Sequence, residues 1–359
     1  MEKFAVVSNT ENGERIISSH PVLKRLPVKY ARLALKYIYA RKTGIIIDNE
    51  DNTELGYIID VPGFFMDWHK LSGTEKIRYV KGMARVLDDL NVFHICFPHV
   101  YEYFGYEEVS YLESRGFTIL DCYLQRSSGL LLVLNQLLNI MKRDMPFLNT
   151  GIWGADTDEG RVWVEALADK VNNMCIGGSS LKALSILADR VLRTTGLSCQ
   201  ITTDARVCLN SKNIAVIARP TDAKYNLVKP SFHFAVARDY AFGGIPVTPD
   251  IGIYVVEMAW IDFPRELSAG VGLKPWEELG VLEGLIYNVS KVYREDLIKQ
   301  RVSLGQLQRL NAIYGLYPLK VLGFVQKGCR IHFDRIRMDY FRIKRRWLND
   351  NKNRGNNTP

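Results

Sequence analysis

Residues 171–203 constrain the fold more than any other stretch of the chain. Val171, Met174, Cys175 and Ile176 mark a short apolar run that enters Gly177-Gly178-Ser179-Ser180. Leu181, Leu184, Leu187 and Val191 then recur at helical spacing, and Thr194-Thr195-Gly196 ends that run with a glycine suited to a left-handed C-cap. Residues 197–203 read as a second strand. Strand, glycine turn, helix and strand within roughly 33 residues is the size of one dinucleotide-binding half-unit.

The chemistry of such a turn asks for small residues in three places. One makes the tight bend, one lets backbone approach a pyrophosphate, and one packs helix against strand. Gly177, Ser180 and Ala183 fall at that spacing, and the Ser179 and Ser180 hydroxyls add donors at the helix start. Gly177, Gly178, Ser179, Ser180 and Ala183 are therefore read as a cofactor loop; the plain alternative is an ordinary strand-to-helix turn. Asp204 follows the second strand, about 20 residues beyond Ala183, where an acid binds a ribose 2′-hydroxyl and favours NAD. Arg206 stands where it would pair with a 2′-phosphate and favour NADP, so both dinucleotides stay open. For Asp204 the alternative is a cap on the next turn. Residues 212–218 read as a further strand, which puts Arg219 and Thr221 beyond its C-terminal end, facing a cofactor or, alternatively, solvent.

The rest of the chain is organised around this unit. Residues 43–48 and 56–60 are short apolar runs bounded by turn formers, and 74–90 carries Ile77, Val80, Met83, Val86, Leu87 and Leu90 at helical spacing. Residues 91–97 and 116–124 read as strands, and 129–145 as a helix broken at Pro146. Residues 232–237 and 251–256 are later strand candidates, ending near Asp239 and Glu257. Alternating strands and helices give an α/β reading: a Rossmann-like doubly wound parallel sheet, a separate N-terminal α/β domain and a basic C-terminal helix. The expected boundaries are 1–150 for a substrate or partner domain, 151–323 for the dinucleotide-binding domain and 324–359 for the helix and tail.

Composition narrows the function classes. An apolar fraction of 47% and a charged fraction of 24% are those of a globular chain. No segment has the uninterrupted apolar length of a membrane span, and residues 1–19 lack an apolar signal core, so a cytoplasmic location is expected. Six cysteines without a C-x-x-C pair read as free thiols, and no zinc or other metal is expected. Lys327 to Pro359 carries ten Lys or Arg and three Asp, which supplies +7 of the net charge of +8. Within it Phe333, Ile336, Tyr340, Ile343 and Trp347 recur at spacings of three and four, a basic amphipathic helix. Such a helix either lies on an anionic membrane surface, making the protein peripheral to the membrane, or docks its apolar face on the body. Nucleic acid is not an expected partner, because no known binding module is present.

From about residue 56 to 322 the order of elements resembles the long-chain acyl-acyl carrier protein reductases, which share a Rossmann domain with the shikimate dehydrogenase-like group. The likeness lies in Cys175-Ile176-Gly177, in Asp250-Ile251-Gly252-Ile253-Tyr254-Val255, in Leu282-Glu283-Gly284-Leu285-Ile286, and in residues 306–319. The resemblance implies an NAD(P)-dependent oxidoreductase acting on an acyl or carbonyl substrate, with a cysteine that takes the acyl group as a thioester. That cysteine would stand three residues before Glu283, where this chain has Gly280, and no cysteine occurs between Cys208 and Cys329. Glu283 and Asp239 are the candidate acid–base residues by position. The alternative is a non-catalytic Rossmann-like protein, a pseudoenzyme that binds a nucleotide, a protein partner or a membrane surface.

Overall fold

The computed structural model describes residues 2–8, 13–65, 68–98, 100–142, 147–238, 252–262, 267–269, 272–298, 302–316 and 319–355. In chain order the strands are β1 (Phe4–Ser8), β2 (Arg41–Asp48), β3 (Glu54–Asp60), β4 (His94–Cys96), β5 (Thr118–Leu120), β6 (Asn149–Trp153), β7 (Asn173–Gly177), β8 (Cys199–Thr202), β9 (Lys212–Ile217), β10 (Leu227–Ala235), β11 (Ile253–Val256), β12 (Met258–Ile261), β13 (Leu267–Ser268), β14 (Val321–Gln326) and β15 (Cys329–His332). The helices are α1 (Glu14–Ser19), α2 (Val28–Ala34), α3 (Gly73–Asp89), α4 (Val100–Tyr103), α5 (Tyr106–Ser114), α6 (Tyr123–Ile140), α7 (Asp158–Leu167), α8 (Leu181–Thr195), α9 (Ala205–Leu209), α10 (Pro275–Val289), α11 (Lys291–Ile298), α12 (Leu304–Leu316) and α13 (Phe333–Gly355). Among the described residues no helix is long and apolar enough to cross a membrane.

Contacts divide the chain into two compact units. The first is Met1–Gln125 with Phe263–Ile298, and the second is Arg126–Asp262 with Lys299–Pro359. The division read from sequence, at 150 and 323, keeps 263–298 with the second domain; here that segment groups with the first. Gly280 and Gly284 give the physical reason. They stand one turn apart on α10 and lie against β1, where an added Cβ would meet Val6 at 2.7 Å and run into the Phe4 ring.

In the first unit the strand order is β13-β2-β3-β1-β4-β5. β3, β1, β4 and β5 are parallel neighbours, and β2 and β13 run antiparallel at one edge. β1 is buried at all five positions, as a strand covered on both faces must be. One core layer joins Val7, Ile59 and Ile95 of the strands to Val80, Met83 and Leu87 of α3. α3 starts at a reciprocal cap, in which Glu75 N–H donates to Ser72 Oγ and Ser72 N–H donates to Glu75 Oε2.

The second unit holds a six-stranded sheet of order β11-β10-β9-β6-β7-β8 in which every neighbouring pair is parallel. Counted from its first strand, β6, the order is 3-2-1-4-5-6 read from the β8 edge, the Rossmann arrangement. The fold is therefore α/β and Rossmann-like. A smaller antiparallel sheet, β12-β14-β15, precedes α13. Phe333, Ile336 and Tyr340 of α13 are buried, Gly252 leaves room for the tip of Ile343, and Tyr254 Oη donates to Asp339 Oδ2 at 2.6 Å. Of the two alternatives for the apolar line, most of it packs against the helix's own unit; the side chain of Trp347 lies outside the described residues.

Candidate functional site

An open parallel sheet binds ligands beyond the carboxyl ends of its strands, at the point where the strand order reverses. In the second unit that point falls between β6 and β9. β6 leads through α7 to β7 on one side, and β9 leads to β10 on the other. The loops that meet there are 154–157 after β6 and 218–222 after β9, with the 178–180 turn after β7 beside them.

This corrects the assignment made from sequence. Residues 171–176 are not the first strand of the nucleotide-binding unit but its second, so Gly177 to Ser180 is not the first strand-to-helix turn. The first turn is Gly154-Ala155-Asp156-Thr157, between β6 and α7. Gly154 has φ +85°, and a Cβ there would press on Arg219 at 2.8 Å. Any side chain at Gly160 would run into the Gly154 carbonyl, so Gly160 lets α7 close on the turn. Gly154 and Gly160 therefore do the bending and packing work that sequence reasoning gave to Gly177 and Ala183. The place between them, where backbone would lie open to a pyrophosphate, holds Asp156.

Asp156 closes the crevice with its own carboxylate. Its side chain is 5% exposed. Oδ2 accepts the backbone N–H of Ser179 at 2.9 Å, that of Ser180 at 3.1 Å and the Ser179 hydroxyl at 2.9 Å. Arg219 Nη1 lies 3.4 Å from the same oxygen and donates to Ser179 Oγ at 2.7 Å. Gly178 has no side chain because a Cβ would run into this carboxyl group. Burial raises the Asp156 pKa, but the Ser179 hydroxyl, the Arg219 guanidinium and the two amides outweigh it and hold the carboxyl below its usual value. The amide donors at the start of α8, which a phosphate would need, are thus already engaged by an anion.

The start of α7 is no better suited to phosphate. Its N-cap Thr157 accepts the Gly160 N–H at 3.1 Å, and Asp158 and Glu159 occupy the first turn. With Asp156 they put three acidic residues in the turn and the first helical turn, where a dinucleotide site needs donors for the pyrophosphate anion. The residues present do not fit that group.

The other candidates are placed as follows. Ser180 is the N-cap of α8, its Oγ accepting the Ala183 N–H at 3.3 Å, and Gly196 ends that helix in the left-handed region. Asp204 follows β8, the third strand, and caps α9 by accepting the Arg206 N–H at 2.8 Å; the Arg206 side chain is exposed. Thr221 Oγ1 accepts the Ala223 N–H at 3.2 Å. Of the nine cofactor candidates, Gly178, Ser179, Ser180 and Arg219 converge on one point, and that point is Asp156. Glu283 belongs to α10 in the first unit. It is fully buried and accepts the Tyr293 hydroxyl at 2.7 Å, and burial pushes its carboxyl up to about 8. Asp239 lies outside the described residues.

Sequence reasoning also missed a buried charge cluster at the carboxyl ends of β1 and β3. Glu277 and Asp60 are fully buried; Arg15 and Ser8 donate to Glu277, Arg15 pairs with Asp60 at 3.4 Å, and Thr43 donates to Asp60 at 2.6 Å. No local signal announces it, since its members come from four segments far apart in the chain.

No protein-family model and no curated protein matches the chain. Among solved structures it is similar to the L-tryptophan dehydrogenase of Nostoc punctiforme, at 12% identity and a TM-score of 0.27, over 60% of this chain and 56% of that one. It is similar to the 5-ketofructose reductase of a Gluconobacter species, at 10% identity and a TM-score of 0.25, over 87% and 98%. It is similar as well to the ornithine carbamoyltransferase of Pyrococcus furiosus, at 9% identity and a TM-score of 0.28, over 80% and 83%. The chain thus spans little more than half of the tryptophan dehydrogenase. Similarities this low carry no argument about function, and what stands is the architecture: an α/β chain whose second unit has the Rossmann strand order.

Proposed function

We propose that this protein uses its Rossmann-like unit as a non-catalytic scaffold, with the dinucleotide's phosphate position taken by its own Asp156. One observation carries this reading: a buried carboxylate accepts the amides of Ser179 and Ser180 while held by Arg219. A phosphate entering there must displace an anion already matched to the same donors, and then meets Asp158 and Glu159. The acyl-transfer chemistry of the acyl carrier protein reductases finds no nucleophile either. Gly280, at the position of their cysteine, is a glycine pressed against Val6.

A second reading, an NAD(P)-dependent oxidoreductase-like protein acting on an acyl or carbonyl substrate, is favoured by the strand order. If Asp156 swings away, Ser179, Ser180 and Arg219 at the end of the second strand form a donor set for a phosphate monoester. That would favour NADP over NAD.

Titration calorimetry with NADPH and NADH separates the two. The scaffold reading expects no saturable binding to the native protein at millimolar cofactor. It also expects a detectable site for NADPH in Asp156→Gly, where the donors are released. Saturable micromolar binding to the native chain would establish the oxidoreductase-like reading instead.

A further inference from the structure

We infer that residues 20–42 of the first unit form a surface that docks on an anionic lipid bilayer, independently of how Asp156 is read. Between Arg15 and Asp48 the sequence contains no Asp or Glu, while Lys24, Arg25, Lys29, Arg32, Lys36, Arg41 and Lys42 contribute seven cations. The same stretch leaves large apolar side chains in water: Val22 is 59% exposed, Val28 58%, Leu33 60% and Tyr37 72%, with Leu26, Tyr30 and Tyr39 exposed beside them.

The local fold explains why they face outward. α1, α2 and the short 3-10 turns flanking α2 close on a small core of Ile16, Leu23, Ala31 and Leu35. On α2, Ala31 and the Leu35 that follows it take the inner side. At 100° per residue, Leu33 then falls on the opposite side, with Lys29, Lys36 and Tyr37 around it and Tyr30 and Arg32 at the margins. Beyond α2, an open hollow of about 510 Å³ is bordered by His20, Tyr37, Tyr39, Arg41 and Lys42. Its two cations and two phenol rings suit a phosphate headgroup.

Charge complementarity selects an anionic partner, and the aliphatic side chains select lipid. Acyl chains take up exposed aliphatic side chains such as Leu33, Val22 and Leu26, which a nucleic-acid backbone has no means to bury. Tyrosines at the margin match the preference of amphipathic rings for the headgroup level, and lysine and arginine meet lipid phosphates. This surface is distinct from α13, whose apolar line packs on the second unit.

Vesicle flotation with the full chain tests the assignment. The native protein should float with vesicles of equal parts phosphatidylcholine and phosphatidylglycerol, and not with phosphatidylcholine alone. Leu33→Asp should lower partitioning roughly tenfold or more. Lys29→Ala and Arg32→Ala should each lower it about fivefold, with added salt acting in the same direction. Because all three side chains are exposed, circular dichroism and melting temperature should match the native protein. The inference is overturned by absence of flotation, by flotation that these substitutions leave unchanged, or by tight binding of a single-stranded oligonucleotide or an acidic protein with no uptake by anionic vesicles.

Discussion

Asp156 and Glu283 are buried carboxyl groups with opposite electrostatic settings, and the contrast gives predictions of opposite sign. Asp156 has charged and amide donors, so its folded-state pKa lies below the roughly 3.9 of an unfolded aspartate. Its contribution is complete above that value and is lost as pH falls through the folded pKa. Urea unfolding should show native stability falling as the pH drops into the acid range, with a flatter profile in Asp156→Asn. Glu283 behaves in reverse. Its carboxyl titrates at about 8 in the fold because burial disfavours the charge, against roughly 4.3 unfolded. The folded state therefore holds the proton more tightly, and stability declines from about pH 4.3 to about pH 8. Glu283→Gln should be more stable than the native chain at neutral pH, with the gain fading toward about pH 5. Lower stability of Glu283→Gln at neutral pH would show that the carboxyl is held ionised.

Elements were legible where local chemistry and tertiary packing agree. α8 runs from Leu181 to Thr195 between the Ser180 cap and Gly196, and α3 covers the stretch that its apolar spacing indicates. The stretch 116–124, read as one strand, is not one element. β5 stops at Leu120, Asp121 accepts the Tyr123 N–H, Cys122 adopts φ +58°, and α6 begins at Tyr123. Hydrophobicity alone does not register such a break, because apolar residues flank it on both sides: Ile119 and Leu120 in the strand, Tyr123 and Leu124 in the helix. The glycine turn after β7 was visible for the same local reason that misled its assignment: Gly-Gly-Ser-Ser is a recognisable helix start, but strand rank within the sheet is a property of long-range pairing. Asp156 escaped notice because its partners are 23 and 63 residues away. At this scale the test is helix contact. Gly284→Leu should push α10 off Phe4 and destabilise the protein by about 3 kcal/mol or more, while Gly315→Ala, in open space, should change little. Thermal unfolding of the two variants checks the difference.

At the scale of the whole molecule the chain builds one unit, leaves it for a second, returns for 263–298 and leaves again. The boundary expected near residue 150 falls instead between Gln125 and Arg126, inside a continuous helix that no turn signal interrupts, and nothing in 263–298 announces where it will pack. Only Gly280 and Gly284, one turn apart, hint that a backbone approaches closely. A fragment ending at Met141 should accordingly aggregate or remain unfolded. Supplying 263–298 as a separate chain should restore a cooperative transition, followed by circular dichroism. A fragment that folds alone with native-like stability would mean that α10 is dispensable to the first unit.

The return of α10 to β1 also sets an order of events during synthesis. β1 leaves the ribosome well before the helix that covers it, which follows more than 260 residues later. At the usual pace of translation that is an interval of about 10 to 50 seconds, far longer than a collapse needs. Throughout that time the apolar face of β1 and β4 waits without its cover. The nascent chain should therefore depend on a holding chaperone, and slow translation between the two segments should lower the yield of folded protein.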